Sequence, residues 1–140
     1  MPTLDASKKD LERLAGKKFA KAELEEALEY VKSELDAQEK DALKIDCKET
    51  NRPDLWSTEG IARELRARLG KEKGIPPYRV NKGHVNVHVD KNLAEVRPFI
   101  ACAVVKGVKI AEEFLVQMIQ LQEKVGETFG RKRREAAIGL

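Results

Sequence analysis

The apolar residues of this chain change their spacing near residue 40, and that change constrains the fold more than any other feature. Before it, Leu24, Ala27, Leu28 and Val31 recur at i, i+3, i+4 and i+7. This is one face of a helix over about Lys21 to Lys32, with Glu25, Glu26 and Glu29 turned to solvent. After it, Leu43, Ile45 and Cys47 alternate with Lys44, Asp46 and Lys48, the period of a strand buried on one face. A chain that carries both periods in neighbouring segments packs helices on a sheet, and its fold class is α+β.

Flanking segments complete that picture. Leu4 to Ala6 suits a short first strand. Ser7 is placed to N-cap the helix that follows, with Asp10 three residues on, Leu11 and Leu14 inward and Gly16 ending it. Ser33 to Gln38 is the expected hairpin partner of the strand at 41–48, turning at Glu39-Lys40-Asp41. Pro53 stops the strand, and a third helix runs to about Leu69 with Ile61, Ala62, Leu65 and Leu69 inward and Gly70 closing it. The expectation is a short antiparallel sheet packed with about three helices.

Lys71-Glu72-Lys73-Gly74-Ile75-Pro76-Pro77 combines charge, glycine and paired prolines, which predicts a boundary between about 71 and 84. The chain is therefore divided into a first domain, 1–80, and a second, incomplete α/β one, 81–140. In the second part Val85, Val87 and Val89 alternate with Asn86, His88 and Asp90, the pattern of a strand. Phe99 to Val105 is apolar throughout, which predicts a strand buried on both faces. A helix is expected over about Glu112 to Thr128, with Phe114, Leu115, Met118, Ile119, Leu121 and Val125 inward. Ala136 to Leu140 then has the character of a further buried strand whose neighbours lie beyond the chain.

Composition excludes several functions. The chain has 140 residues, with 27 basic and 24 acidic side chains nearly cancelling to +3, unlike the one-sided charge of a dedicated nucleic-acid binder. No apolar run approaches membrane-spanning length and no apolar signal core follows Met1, so a soluble cytoplasmic chain is expected. Cys47 and Cys102 suit buried structural thiols rather than a disulfide. His84 and His88 have the i, i+4 offset of helical zinc ligands, but on a strand they stand ~13 Å apart, beyond the reach of one ion. No phosphate-cradling glycine loop, zinc-spaced cysteine pair or nucleophile elbow is present, so neither a catalytic residue nor a cofactor site is assigned.

Two constellations remain. Arg131, Lys132, Arg133 and Arg134 form the densest positive run. They stand just past Gly130 at a helix C-terminus, where cations offset the dipole, and they also suit contact with an RNA backbone. The block from Lys48 to Arg63 is a strand exit followed by a helix entry. Within it Asn51, Arg52, Pro53, Asp54 and Gly60 form a structural joint: Pro53 fixes the first turn, Asp54 offers acceptors, Arg52 ties the turn to a carboxylate and Gly60 admits a close backbone.

The block Thr50-Asn51-Arg52-Pro53-Asp54-Leu55, with Ser57 and Glu59-Gly60-Ile61-Ala62-Arg63, resembles the N-terminal domain of phenylalanyl-tRNA synthetase beta subunits of the archaeal and eukaryotic type. Arg97-Pro98-Phe99-Ile100-Ala101-Cys102-Ala103-Val104-Val105-Lys106-Gly107 agrees. So do Gln117 through Leu121-Gln122-Glu123-Lys124 to Phe129-Gly130-Arg131-Lys132-Arg133, and Ala137-Ile138-Gly139. The resemblance implies one chain of an α2β2 enzyme that charges phenylalanine tRNA using ATP and magnesium, with the aminoacylation site in the alpha subunit. It implies an architectural role for residues 1–80, and for the rest the opening strands and helix of an editing domain whose pocket lies further along the family's chain. The expected partners are the alpha subunit, the remainder of the beta subunit and the tRNA. Two other readings are a stand-alone, non-catalytic RNA-binding or interaction module derived from that subunit, and a free-standing editing hydrolase.

Overall fold

The computed structural model describes residues 3–48, 51–75 and 77–139. Thr50 of the joint block, Pro76 of the boundary segment and Leu140 of the expected last strand lie outside them.

Three strands, β1 (Thr3–Ser7), β2 (Ser33–Glu39) and β3 (Ala42–Cys47), form an antiparallel sheet in the order β1-β3-β2. Its register follows from the alternation in β3. Leu4 faces Ile45, Ala6 faces Leu43 and Ser33 faces Cys47, so the buried apolar residues of β1 and β3 fall on one face. The other face carries Asp5, Lys44 and Asp46, with Lys48 paired to Asp46 at 2.7 Å and to Glu34 at 3.0 Å. The free margin of β2 is acidic and shifts register between Leu35 and Ala37, features that discourage further pairing.

Helices cover the apolar face. α1 (Lys8–Ala15) starts at Ser7, whose hydroxyl accepts from the Asp10 amide, and ends at Gly16 in the left-handed conformation. α2 (Lys21–Glu29) buries Leu24 and Leu28, and Glu23 reaches back to the Ala20 amide at 3.0 Å. The expected third helix divides in two: a short 3-10 turn, Pro53–Leu55, and then α3 (Thr58–Arg68), N-capped by Ser57. The division follows from Ser57, which offers its hydroxyl to the Gly60 amide and so sets the helix start. Trp56, at the joint between the two, has no exposed surface and shares one core with Leu11, Leu24, Leu28, Ile45 and Ile61.

α4 (Glu112–Glu127) also belongs to this unit, which comprises Met1–Gly74 and Ala111–Leu140. Leu121 and Val125 pack against the core. The Gln120 side-chain amide meets the free edge of β1, accepting from the Asp5 N–H at 2.9 Å and donating to the Asp5 carbonyl at 3.0 Å. One side chain thus supplies both bonds that a fourth strand would have offered there. The inward set expected for α4 is corrected: Phe114, Leu115 and Ile119 are exposed by 42–46%. The covered face is narrower than the apolar arc of the helix: Gln117 and Gln120 bond to α1 and β1, and Leu121 and Val125 pack on the core.

Residues Ile75–Ile110 form a second unit. It contains a short 3-10 turn, Lys91–Leu93, with the Asn92 amide bonded to Asp90 at 2.8 Å. The strands expected at 85–89 and 99–105 are absent among the described residues, and Phe99 is 92% exposed. The strand expected from Ala136 is likewise absent over 136–139. Alternation reports which side chains a strand would bury; forming the strand also requires a neighbour to pair its backbone, and these segments have none here.

Candidate functional site

The joint at 51–60 is held from both sides. Arg52 grips Asp54 with two parallel bonds, Nε to Oδ1 at 2.9 Å and Nη2 to Oδ2 at 2.8 Å, and reaches Glu64 of α3 at 3.2 Å. The Arg52 guanidinium holds the Asp54 carboxyl below its ordinary range. At Gly60 an added Cβ would collide with the Asp54 carbonyl oxygen, so the 3-10 turn lies directly on the first turn of α3. Asn51 is exposed and, with Tyr30, Lys32, Leu55 and Glu64, borders a groove of about 150 Å³. Cys47 lies beneath, its thiol directed to the Leu55 carbonyl at 3.6 Å and its pKa pushed up by burial. Arg52, Asp54, Ser57 and the Cys47 thiol are each engaged with another part of the joint, whereas the buried Thr58 hydroxyl has no hydrogen-bond partner.

A second fastening was not singled out from sequence. Asp41, in the β2–β3 turn, accepts from the Ser7 hydroxyl at 2.7 Å and from the Lys9 amide at 2.9 Å, and its own carbonyl accepts from Lys8 at 2.7 Å. The Ser7 bond first, then the Lys9 amide, lower its pKa. The hairpin tip is thereby tied to the start of α1. The only sequence signal for this is the turn itself, because the partners lie more than 30 residues apart.

The basic run is a helix terminator. Arg131, Lys132 and Arg133 occupy the left-handed region at φ 48°, 57° and 62°. For such residues this conformation costs about 1–2 kcal/mol each. The turn satisfies the last carbonyls of α4: Gly130 N–H donates to Val125, Arg133 to Gly126 at 2.7 Å, Lys132 to Glu127 and Arg131 to Thr128. Arg133 then folds back along the helix to Glu123 at 2.5 Å and Glu127 at 3.0 Å, while Arg131 meets Glu135 at 3.6 Å. Arg131 and Arg133 therefore already face carboxylates.

His84 stands in exposed chain outside any regular element, as does His88, and Cys102 is exposed rather than buried. Among the described residues no group of three or more His, Cys, Asp or Glu side chains is arranged to hold a metal ion, and no helix is long and apolar enough to cross a membrane.

Comparison with known proteins gives a consistent answer. No protein-family model matches the chain. It is 51% identical to the phenylalanine–tRNA ligase beta subunit of Pyrococcus horikoshii, over the whole of this chain and 26% of that one. It is 53% identical to that of Pyrococcus furiosus, with the same coverage, and 42% to that of Pyrobaculum aerophilum. The chain thus spans about a quarter of the length of these relatives. The crystal structure of an N-terminal fragment of the Pyrococcus horikoshii phenylalanyl-tRNA synthetase beta subunit superposes with a TM-score of 0.91, at 51% identity, over 99% of this chain and 41% of that one. By sequence along its whole length and by fold, the chain belongs to the phenylalanyl-tRNA synthetase beta-subunit family, in which it matches the N-terminal region.

Proposed function

We propose that this chain serves as the N-terminal, architectural part of the beta subunit of a cytoplasmic phenylalanine–tRNA ligase. That enzyme attaches phenylalanine to its tRNA using ATP and magnesium. In this reading the catalytic site belongs to the alpha subunit, with which the beta subunit assembles into a heterotetramer. Residues 1–80 are the structural domain, and 81–140 lead into a domain that edits mischarged tRNA.

The observation that carries the reading is the match along the whole chain, joined to a compact unit whose polar clusters are spent on fastening its own elements. The segments 85–89 and 99–105, strand-like in sequence but outside any strand, add support, since they suit backbone supplied by further polypeptide of the same subunit. A phosphate contact at 131–134 is part of the reading, and Arg131 and Arg133 would have to leave the carboxylates they face to join it.

A chimera tests it. This chain replaces the matching segment of the Pyrococcus horikoshii beta subunit and is co-expressed with the alpha subunit. The expected result is a complex that charges phenylalanine tRNA, while the chain alone neither charges tRNA nor deacylates tyrosine from it. A soluble chimera that does not assemble with the alpha subunit would end the proposal.

A further inference from the structure

The fold gathers a second set of cations that no run of sequence announces. α1 and α3 end side by side: Arg66 of α3 reaches the Leu14 carbonyl at 3.4 Å, and Lys71 donates to the carbonyl of Gly16. Lys17, Arg66, Arg68 and Lys71 stand at these two helix ends, with exposed Lys18 and Lys73 close by in sequence; among the described residues Glu23, Glu26 and Glu72 are the carboxylates that border the groove there or pair with these cations.

The engagement of these cations differs from that of the run at 131–134. Lys71 is bonded to a neutral carbonyl and Arg68 lies over the ring of Tyr30, its guanidinium 3.6 Å from the centroid. Neither contact cancels the charge, whereas Arg133 is held by two carboxylates. Beside Arg68 runs a groove of about 220 Å³ floored by Phe19, Ala27 and Leu65 and walled by Tyr30 and Leu69, which are 49% and 36% exposed. Surplus positive charge bordering an exposed aromatic–guanidinium stack is the chemistry of single-stranded RNA recognition: bases stack on such planes while lysines meet the phosphates.

We infer that the end of the unit where α1 and α3 terminate binds unpaired RNA, one base stacking on the Tyr30–Arg68 pair and the adjoining backbone lying against Lys18, Lys71 and Lys73. This rests on the ligase reading, which makes a tRNA the partner, and it moves the main RNA contact away from the run at 131–134.

The test measures binding of the 140-residue chain to a phenylalanine tRNA transcript and to a short unstructured oligoribonucleotide across a salt series. The triple variant Lys18→Gln, Lys71→Gln, Lys73→Gln is expected to bind both about tenfold more weakly and to flatten the salt slope by about 0.7 per lost contact on the single strand. Tyr30→Ala is expected to weaken binding about fivefold or more with the slope unchanged. Thermal melting of each variant shows that it is folded. Folded variants that bind like the parent overturn the inference. If instead Lys132→Gln with Arg134→Gln removes binding, the contact is returned to 131–134. Loss of alpha-subunit association without loss of RNA binding also overturns it, assigning the face to a protein. Failure here leaves charging by the chimera untouched, so the two readings fall separately.

Discussion

Asp41 shows how much one side chain can tie together in a small fold. Its carboxylate holds Ser7 and the Lys9 amide, and these contacts depress its pKa from the ordinary 3.8. A carboxylate whose folded pKa is depressed contributes stability that is fully present above its unfolded value and is lost as pH falls through the folded one. Asp41→Asn is therefore expected to lower the melting temperature at pH 7, with the difference from the parent closing as pH falls below the ordinary carboxylate range. A difference that stays constant across that range would contradict the assignment. At Gly60 the constraint is steric. Gly60→Ala places a Cβ against the Asp54 carbonyl, and we expect a loss of about 1–3 kcal/mol or more in urea unfolding, with an unchanged slope. Gly60 was legible from sequence as a place of close approach, because it follows a proline turn and a capping serine. Asp41 was not, because a turn aspartate has many local uses and only the fold brings Ser7 to it.

At the scale of elements, periodicity identified whatever is paired inside this unit. The hairpin of β2 and β3, α1 with its caps at Ser7 and Gly16, and α2 follow from spacing and cap chemistry, whereas the third helix starts later than expected, at Ser57. The strands expected at 85–89, 99–105 and 136–140 carry patterns of the same quality, yet pairing is a property of two segments and the sequence displays one at a time. The basic run shows a similar limit. Its four charges are plain in the sequence, but the engagement of Arg131 and Arg133 with Glu123, Glu127 and Glu135 depends on a left-handed turn that non-glycine residues seldom adopt. Gln120 offers an element-scale test. Gln120→Ala leaves the Asp5 N–H and carbonyl without their partner, which is expected to cost about 1 kcal/mol and to speed exchange of the Asp5 amide. Unchanged exchange at Asp5 would show that α4 does not close that edge.

For the whole molecule, residue 74 divides two kinds of chain. Residues 3–74 and 112–127 share one buried core or pack on it, whereas 75–110 leave most of their large apolar side chains in solvent. Hydrogen exchange of the chain is therefore expected to show strong protection in β3, α1 and α3, intermediate protection in α4 and little over 83–108. Protection of 83–108 equal to that of β3 would contradict this division.

The position of α4 in the chain has a consequence for synthesis. Its docking partner β1 is made well before it, and Glu127 is translated 53 residues after Gly74 (127 less 74). At about 5–20 residues per second that interval is roughly 3–10 s. Throughout it the nascent chain holds a three-stranded sheet with one raw margin, so a chaperone or ribosomal surface that shields the Asp5 backbone would serve until Gln120 emerges to take its place.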